Sequence, residues 1–264
     1  MKVLKEWYVK APWGKIALIS WGNPKGFPVL LVHGREDSAA TFIPLLKLLP
    51  KHYHYVGIDL AGHGKSQPFP SGVMVSRFHF MLTVEYAIEN LGWKKFIYIS
   101  HSMGTELGLF YNAIYPNRII KFVHLDPAPA VRRMFTKKFP YLYQGHYETY
   151  YENYEKYNKD ERLSWKKILK ISAPWNFTDD FYSELFSKNA PPTLVISATN
   201  YHGVYLDEIS KYHEFIDNLK EKIDNFFHVV IDGGHDLHFL NPELIADYIK
   251  HFLKNDFRKI KAKL

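Results

Sequence analysis

The sequence predicts an α/β domain: a mostly parallel, eight-stranded sheet flanked by helices, with a helical lid inserted. Three observations predict it. Short apolar, aromatic and β-branched runs alternate with helix-length segments of about 10–20 residues, the rhythm of parallel βαβ units. Each cluster rich in Gly, His and Asp falls just after such a run, where a parallel sheet gathers its ligands. Residues 130–190 break the rhythm, holding eight of the nineteen Tyr, many Lys and Glu, and no clear strand. The expected organisation is a core over 1–129, a lid over 130–190 and a second part of the core over 191–264.

Residues 6–11 and 15–21 form a hairpin around Pro12-Trp13-Gly14. A buried strand over 27–32 ends in His33-Gly34-Arg35, and a short helix over 41–49 stops at Pro50. The strand over 53–58 runs into Asp59-Leu60-Ala61-Gly62-His63-Gly64-Lys65-Ser66, and a helix over 73–91 is closed by Gly92. Next come a strand over 96–99, the turn Ser100-His101-Ser102-Met103-Gly104, and a helix ending near Tyr115-Pro116. A strand over 119–125 precedes Asp126-Pro127. In the lid, YLYQGHYETYYENYEKY reads as a helix with an aromatic face. A strand over 193–197, a helix over 207–222, a strand over 227–231 and a helix over 242–253 complete the core.

Composition narrows the function. With 264 residues, 47% of them hydrophobic, the chain buries a substantial core without staples. It has no Cys, which excludes disulfides and thiolate catalysis. The net charge of +7 is diffuse, with one concentration over 250–263. It implies solubility and mild attraction for anions, so no nucleic-acid partner is expected. The N-terminus MKVLKEWYVKAPWGK has no long apolar region, so secretion is not expected. No run reaches the roughly 18 apolar residues of a membrane span.

A strand, a tight turn with Ser102 at its apex, and a helix form the setting of a nucleophile elbow. A Ser hydroxyl needs a base, and the turn lifts Oγ towards one arriving from another loop. Small residues must flank the apex, and Gly104 fits. Ser100 stands where Gly is usual. His235, after Gly-Gly at a late strand end, is the candidate base, with His238 in support. The acid stays open. The loop after 193–197 reads Ala198-Thr199-Asn200-Tyr201-His202-Gly203 and has no carboxylate. Asp126 is placed ahead of Asp207, and Glu208 third. The amides of Arg35 and Met103 are placed to hold an oxyanion, with His33, Gly34, His101 and Gly104 as supporting residues. The 59–66 loop has one residue between its two Gly, which rules out a phosphate loop; it buttresses the site instead. No metal is expected, since His235 and His238 lack a clear carboxylate set, and no cofactor is called for.

In order, LLVHG, D-x-x-G-H-G-x-S, S-x-S-x-G, Y-P-x-R-I and G-G-H resemble the α/β-hydrolase fold superfamily over nearly all the chain outside the lid. HGREDSAATF, YVGIDLAGHGKS and GGHDLHFLNPE resemble most its serine hydrolase-like branch, which includes insect kraken-type proteins. The resemblance implies that fold and carboxylic-ester chemistry on a small molecule. It carries Ser102 as nucleophile, His235 as base, and Arg35 and Met103 as oxyanion donors. The acid it leaves between Asp126 and Asp207. A Ser apex argues against haloalkane dehalogenase and epoxide hydrolase chemistry, which use Asp there. Two other roles compete: a catalytically weak scaffold binding a small apolar ligand, and a protein partner bound through the lid. The terminal Ala262-Lys263-Leu264 resembles the S-K-L peroxisomal address, so the expected location is peroxisomal or cytoplasmic.

Overall fold

The computed structural model describes residues 1–71, 75, 77–127, 179–200 and 206–262. Eight strands form one sheet in the order β1-β2-β4-β3-β5-β6-β7-β8. Strands β1 (Val3–Ala11) and β2 (Gly14–Gly22) pair antiparallel, and β2 also runs antiparallel to β4 (His54–Ile58). All pairings from β4 through β3 (Pro28–Val32), β5 (Phe96–His101), β6 (Ile119–Leu125), β7 (Thr193–Asn200) and β8 (Phe226–Gly234) are parallel.

The central strands are buried on both faces, and their side chains alternate between two cores. Leu30 and Val32 of β3, with Phe96 and Tyr98 of β5, enter one core; Val29 and Leu31, with Ile97 and Ile99, enter the other. This is the period of two that a pleated strand imposes. Helices α2 (Arg77–Leu91), α3 (Met103–Ile114), α4 (Asp179–Ser187) and α5 (Leu206–Lys222) cover the first face, through Val84, Leu107, Phe186 and Ile216 among others. The second face is covered by α1 (Ile43–Leu48), α6 (Leu237–Leu240), α7 (Pro242–Leu253) and α8 (Phe257–Lys261), through Leu45, Leu237, Ile249 and Ile260. Each such side chain contributes about 1.5–3 kcal/mol by leaving water.

One buried cation sits in this frame. Lys121 of β6 donates to the carbonyls of Phe252 and Leu253, at 2.9 and 2.6 Å. These carbonyls close the α7 C-terminus, where Asn255 N also donates to Phe252 O at 3.1 Å and the Tyr53 hydroxyl to Leu253 O at 3.2 Å, and a cation is favoured at that end of a helix. Burial lowers its pKa to about 8.

The eight strands match the expected sheet. Several run further than the apolar runs suggest: β1 starts at Val3, and β5 reaches His101, β7 Asn200 and β8 Gly234. Backbone pairing carries β7 and β8 on, with Asn200 opposite Gly234, where no hydrophobic signal remains. Helices α6 and α8, of four and five residues, are too short to leave a period in the sequence. Most of the expected lid, including its Tyr-rich segment, lies outside the described residues, as do the start of the 73–91 helix and the terminal Lys263-Leu264. Helix α4, at the lid's C-terminal end, packs Tyr182 and Phe186 into the first core against Phe110 of α3. Nearby, an apolar cavity of about 30 Å³ lies among Thr105, His124, Phe186 and Phe215. It has room for about one water.

Candidate active site

Chain direction reverses across the sheet between β3 and β5. From β3 the chain steps to β4 on one side; from β5 it proceeds to β6 on the other. Open α/β sheets bind ligands at such switch points, beyond the carboxyl ends of the strands. Val32 pairs with Ser100, which brings the loop after β3 alongside the turn after β5.

Ser102 occupies that turn, between the last residue of β5 and the first of α3. Its backbone lies at φ 49° and ψ −119°, a strained conformation for a residue bearing a Cβ. The Ser102 N–H donates to Leu125 O at 3.1 Å, and Ser102 O accepts from Thr105 N at 3.0 Å. The turn is thereby tied to both β6 and α3. A Cβ on Gly104 would stand 2.4 Å from Val32 O and 2.7 Å from His33 O, so strand and helix approach closely enough to require Gly. Gly104→Ala is expected to destabilise the fold by about 1–3 kcal/mol, read as a lower urea midpoint at unchanged slope.

Ser100 is more than a small substitute for Gly. It is fully buried, with Oγ 2.9 Å from His124 Nδ1 and 3.1 Å from Thr105 Oγ1. The hydroxyl thus links β5, β6 and α3 beneath the apex. Burial drives the His124 pKa down to about 3, so this imidazole is neutral.

On the other side of Ser102 runs the loop after β3. A Cβ on Gly34 would meet His101 Nδ1 at 2.9 Å and Ser102 Cβ at 3.0 Å, which shows how close this backbone comes to the apex. His33 Nδ1 donates to Gly34 O at 2.6 Å, and its Nε2 accepts from Leu60 N at 3.0 Å. Burial, helped by His63, holds the His33 pKa well below the ordinary value. A neutral imidazole therefore braces this loop against the one after β4. The Arg35 guanidinium pairs with Glu36 at 3.4 Å and is partly exposed. Met103 is the first residue of α3, so its N–H belongs to the helix end that has no intrahelical acceptor.

His235 follows β8 directly, and Asp126 follows β6. Asp126 Oδ2 lies 2.5 Å from His235 Nδ1. The carboxylate's other oxygen accepts from Ala198 N at 2.7 Å, and Asp126 N donates to Ile196 O at 2.6 Å. Asp126 is thus fixed by β7 on one side and presented to His235 on the other. Burial opposes a charge on His235. The hydrogen bond to Asp126, the charge of Asp126 and that of Asp236 outweigh burial, and its pKa is raised above the ordinary 6.5. Ser102 Oγ makes no hydrogen bond to His235 or to any other described residue. Asp207 and Glu208 fall in the first turn of α5.

A family described as alpha/beta hydrolase fold matches residues 28–153. The chain is similar to the "Serine hydrolase-like protein" of Danio rerio, at 25% identity over 96% of this chain and 89% of that one. Among solved structures it superposes on a carboxylesterase from Bacillus subtilis with a TM-score of 0.72, at 19% identity over 96% of this chain and 92% of that one. The chain has the α/β-hydrolase fold. A haloalkane dehalogenase from Bradyrhizobium elkani also superposes, with a TM-score of 0.72 at 14% identity over the whole of both chains. The α/β-hydrolase fold therefore leaves the chemistry open, and the residue at the apex must discriminate.

Around the apex lie further polar groups: Asp59 of the expected buttressing loop, His101 among the expected supporting residues, and Asp37 and Asp236, which no motif singles out. Asp59 is buried at the end of β4 and accepts from Ala39 N at 2.8 Å and Lys65 N at 2.9 Å. Burial raises its pKa to about 6 against the pull of those amides. Gly64, at φ 48°, lets the 59–66 loop close on this carboxylate, since a Cβ there would stand 2.3 Å from Asp59 Oδ2. His101 lies between His235 and His238, with ring centres 4.5 and 4.2 Å away and planes tilted by 47° and 40°, and its Nε2 donates to His235 O at 3.1 Å. It thereby anchors the loop that carries His235. Asp37 and Asp236 each bring an oxygen to 3.7 Å from a His101 nitrogen. The sequence signal for Asp37 and Asp236 was only their position just beyond strand ends.

Proposed function

We propose that this α/β-hydrolase is a serine esterase: it cleaves a carboxylic ester or related acyl compound through an acyl-enzyme intermediate. Ser102 Oγ attacks the carbonyl carbon while His235 Nε2 takes its proton. Asp126 holds Nδ1–H, fixing the tautomer that leaves Nε2 as acceptor and stabilising the imidazolium that forms. The oxyanion rests on the Arg35 and Met103 amides, each worth about 3 kcal/mol in such sites. His235 returns the proton to the leaving alcohol. Water then attacks the acyl-enzyme by the same route and releases the acid.

The observation that carries this reading is the 2.5 Å approach of Asp126 to His235, at the sheet end that holds Ser102 on its strained turn. It supports Asp126 rather than Asp207 as the acid. The unbonded Ser102 Oγ favours a second reading, a weakly active scaffold that binds a small apolar ligand. Catalytic bonds commonly tighten only when substrate is bound, which keeps the first reading ahead.

A fluorophosphonate probe separates the two, because it traps only an activated Ser. One adduct per chain is expected, absent in Ser102→Ala. If the folded protein stays unlabelled, the scaffold reading replaces the esterase one.

A further inference from the structure

Three buried groups meet where the loops after β3, β5 and β8 converge. Asp37, His101 and His238 are 8%, 2% and 0% exposed. One ligand-type atom from each lies within 4.8 Å of the other two, and Asp37 Oδ2 is 3.7 Å from His101 Nδ1. Each group also has an atom already engaged. Asp37 Oδ1 accepts from Ser38 N at 2.7 Å, His101 Nε2 donates to His235 O at 3.1 Å, and His238 Nε2 bonds Thr41 Oγ1 at 2.9 Å. Left over are Asp37 Oδ2, His101 Nδ1 and His238 Nδ1, all buried and without a hydrogen-bond partner among the described residues.

This is an unusual set to leave in a protein interior. With His101 donating through Nε2, its Nδ1 presents a lone pair towards a carboxylate. Buried polar groups without partners are few in native proteins and costly to maintain. The 3.7 Å between Asp37 and His101 is too long for a hydrogen bond, so a proton satisfies the pair poorly. It is close to the spacing of about 3.4 Å between ligands held tetrahedrally at about 2.0–2.1 Å from zinc.

We propose that Asp37, His101 and His238 form a binding site for a divalent transition metal, zinc by preference. Two imidazoles and one carboxylate suit zinc and its neighbours, whereas calcium and magnesium look for oxygen ligands. The Nε2 bonds of His101 and His238 are of the kind that orient metal-binding imidazoles and fix their tautomer. The three ligands arrive on the loop bearing Arg35, on the residue before Ser102, and on the helix just after His235. A bound metal therefore fastens the oxyanion loop, the apex and the base to one another. In the sequence only His235 and His238 are neighbours, and the expectation of no metal followed from that; the fold replaces His235 with groups from distant positions. Metal binding here does not depend on the esterase reading.

The test uses the full chain without a polyhistidine tag, stripped with EDTA. Zn²⁺ is titrated by calorimetry, and Co²⁺ by its visible absorption. One equivalent per chain is expected, with the visible bands of Co²⁺ bound to imidazole nitrogen. Asp37→Asn and His238→Gln should abolish the visible bands. Thr41→Val, which removes only the bond to His238, should weaken affinity about 10-fold or more. Circular dichroism establishes which variants fold, and the wild-type titration stands whether or not they do. Wild type taking up neither ion overturns the proposal, as does uptake that is the same in folded Asp37→Asn and His238→Gln.

Discussion

Ser102→Ala is expected to lower kcat on an activated aryl ester by about 10⁴-fold or more while KM moves by less than about threefold. The reason lies in where the hydroxyl stands. Its backbone is held at φ 49° by bonds to β6 and α3, and the change to Ala removes only Oγ from that frame. No neighbouring hydroxyl takes over. Ser100 Oγ is fully buried and committed to His124 and Thr105, and Thr105 Oγ1 faces the same network. The variant should keep the wild-type urea midpoint, so lost turnover at full stability isolates the chemistry. A residual rate within about tenfold of wild type would move the nucleophile elsewhere.

Asp126→Asn should have the second-largest effect, a fall in kcat of about 10³–10⁴-fold. With its oxygen kept for Ala198 N, the amide turns its NH2, a donor, towards His235 Nδ1; flipped, it offers a neutral acceptor there and sets the NH2 against Ala198 N. The imidazole loses both its tautomer preference and the charge that supports imidazolium. The pH profile gives an independent reading. Ester cleavage requires neutral Nε2, so the rate rises with pH through the His235 pKa. In wild type that limb lies above the ordinary 6.5, because Asp126 and Asp236 outweigh burial. Without the Asp126 charge burial gains weight, and the limb moves to lower pH. Stability follows the same linkage with the sign of a raised pKa. The pair's contribution is full below about 6.5 and fades as pH rises through the folded-state value. Asp207→Asn should leave both kcat and the limb in place. An equal loss from Asp207→Asn would transfer the acid to α5.

How much of this was legible before folding varies by element. The elbow was readable because an aromatic and β-branched run, a small-residue turn and a helical pattern stand next to one another in the chain. His235 was readable from Gly-Gly at a strand end. The choice between Asp126 and Asp207 was not, because the partner of His235 is set by sheet order. Strands β6 and β8 flank β7, and the extension of β7 through Ala198 gives Asp126 the amide that orients it. Ser100 looked like a departure from the Gly rule. Its meaning depends on His124, which arrives from the next strand in register. Asp37 was marked in the sequence only by its place beyond a strand end, since its neighbours His101 and His238 come from other parts of the chain. Local physics marks the elements that carry chemistry; pairing across the sheet decides which groups face each other.

The order of strands also sets a timetable. The chain delivers β1 to β6 first, then a long intervening segment, and only afterwards β7 and β8. A chain emerging from the ribosome therefore has Ser102 on its turn, and Asp126 beyond β6, well before His235 exists. Until then β6 is a bare sheet edge, prone to pairing with whatever strand it meets. On the esterase reading, the Ser102 hydroxyl meanwhile lacks the His235 imidazole that would take its proton. Chemical competence and protection of the sheet edge thus both wait on the last quarter of the chain, so a prematurely terminated product would be sticky but chemically harmless.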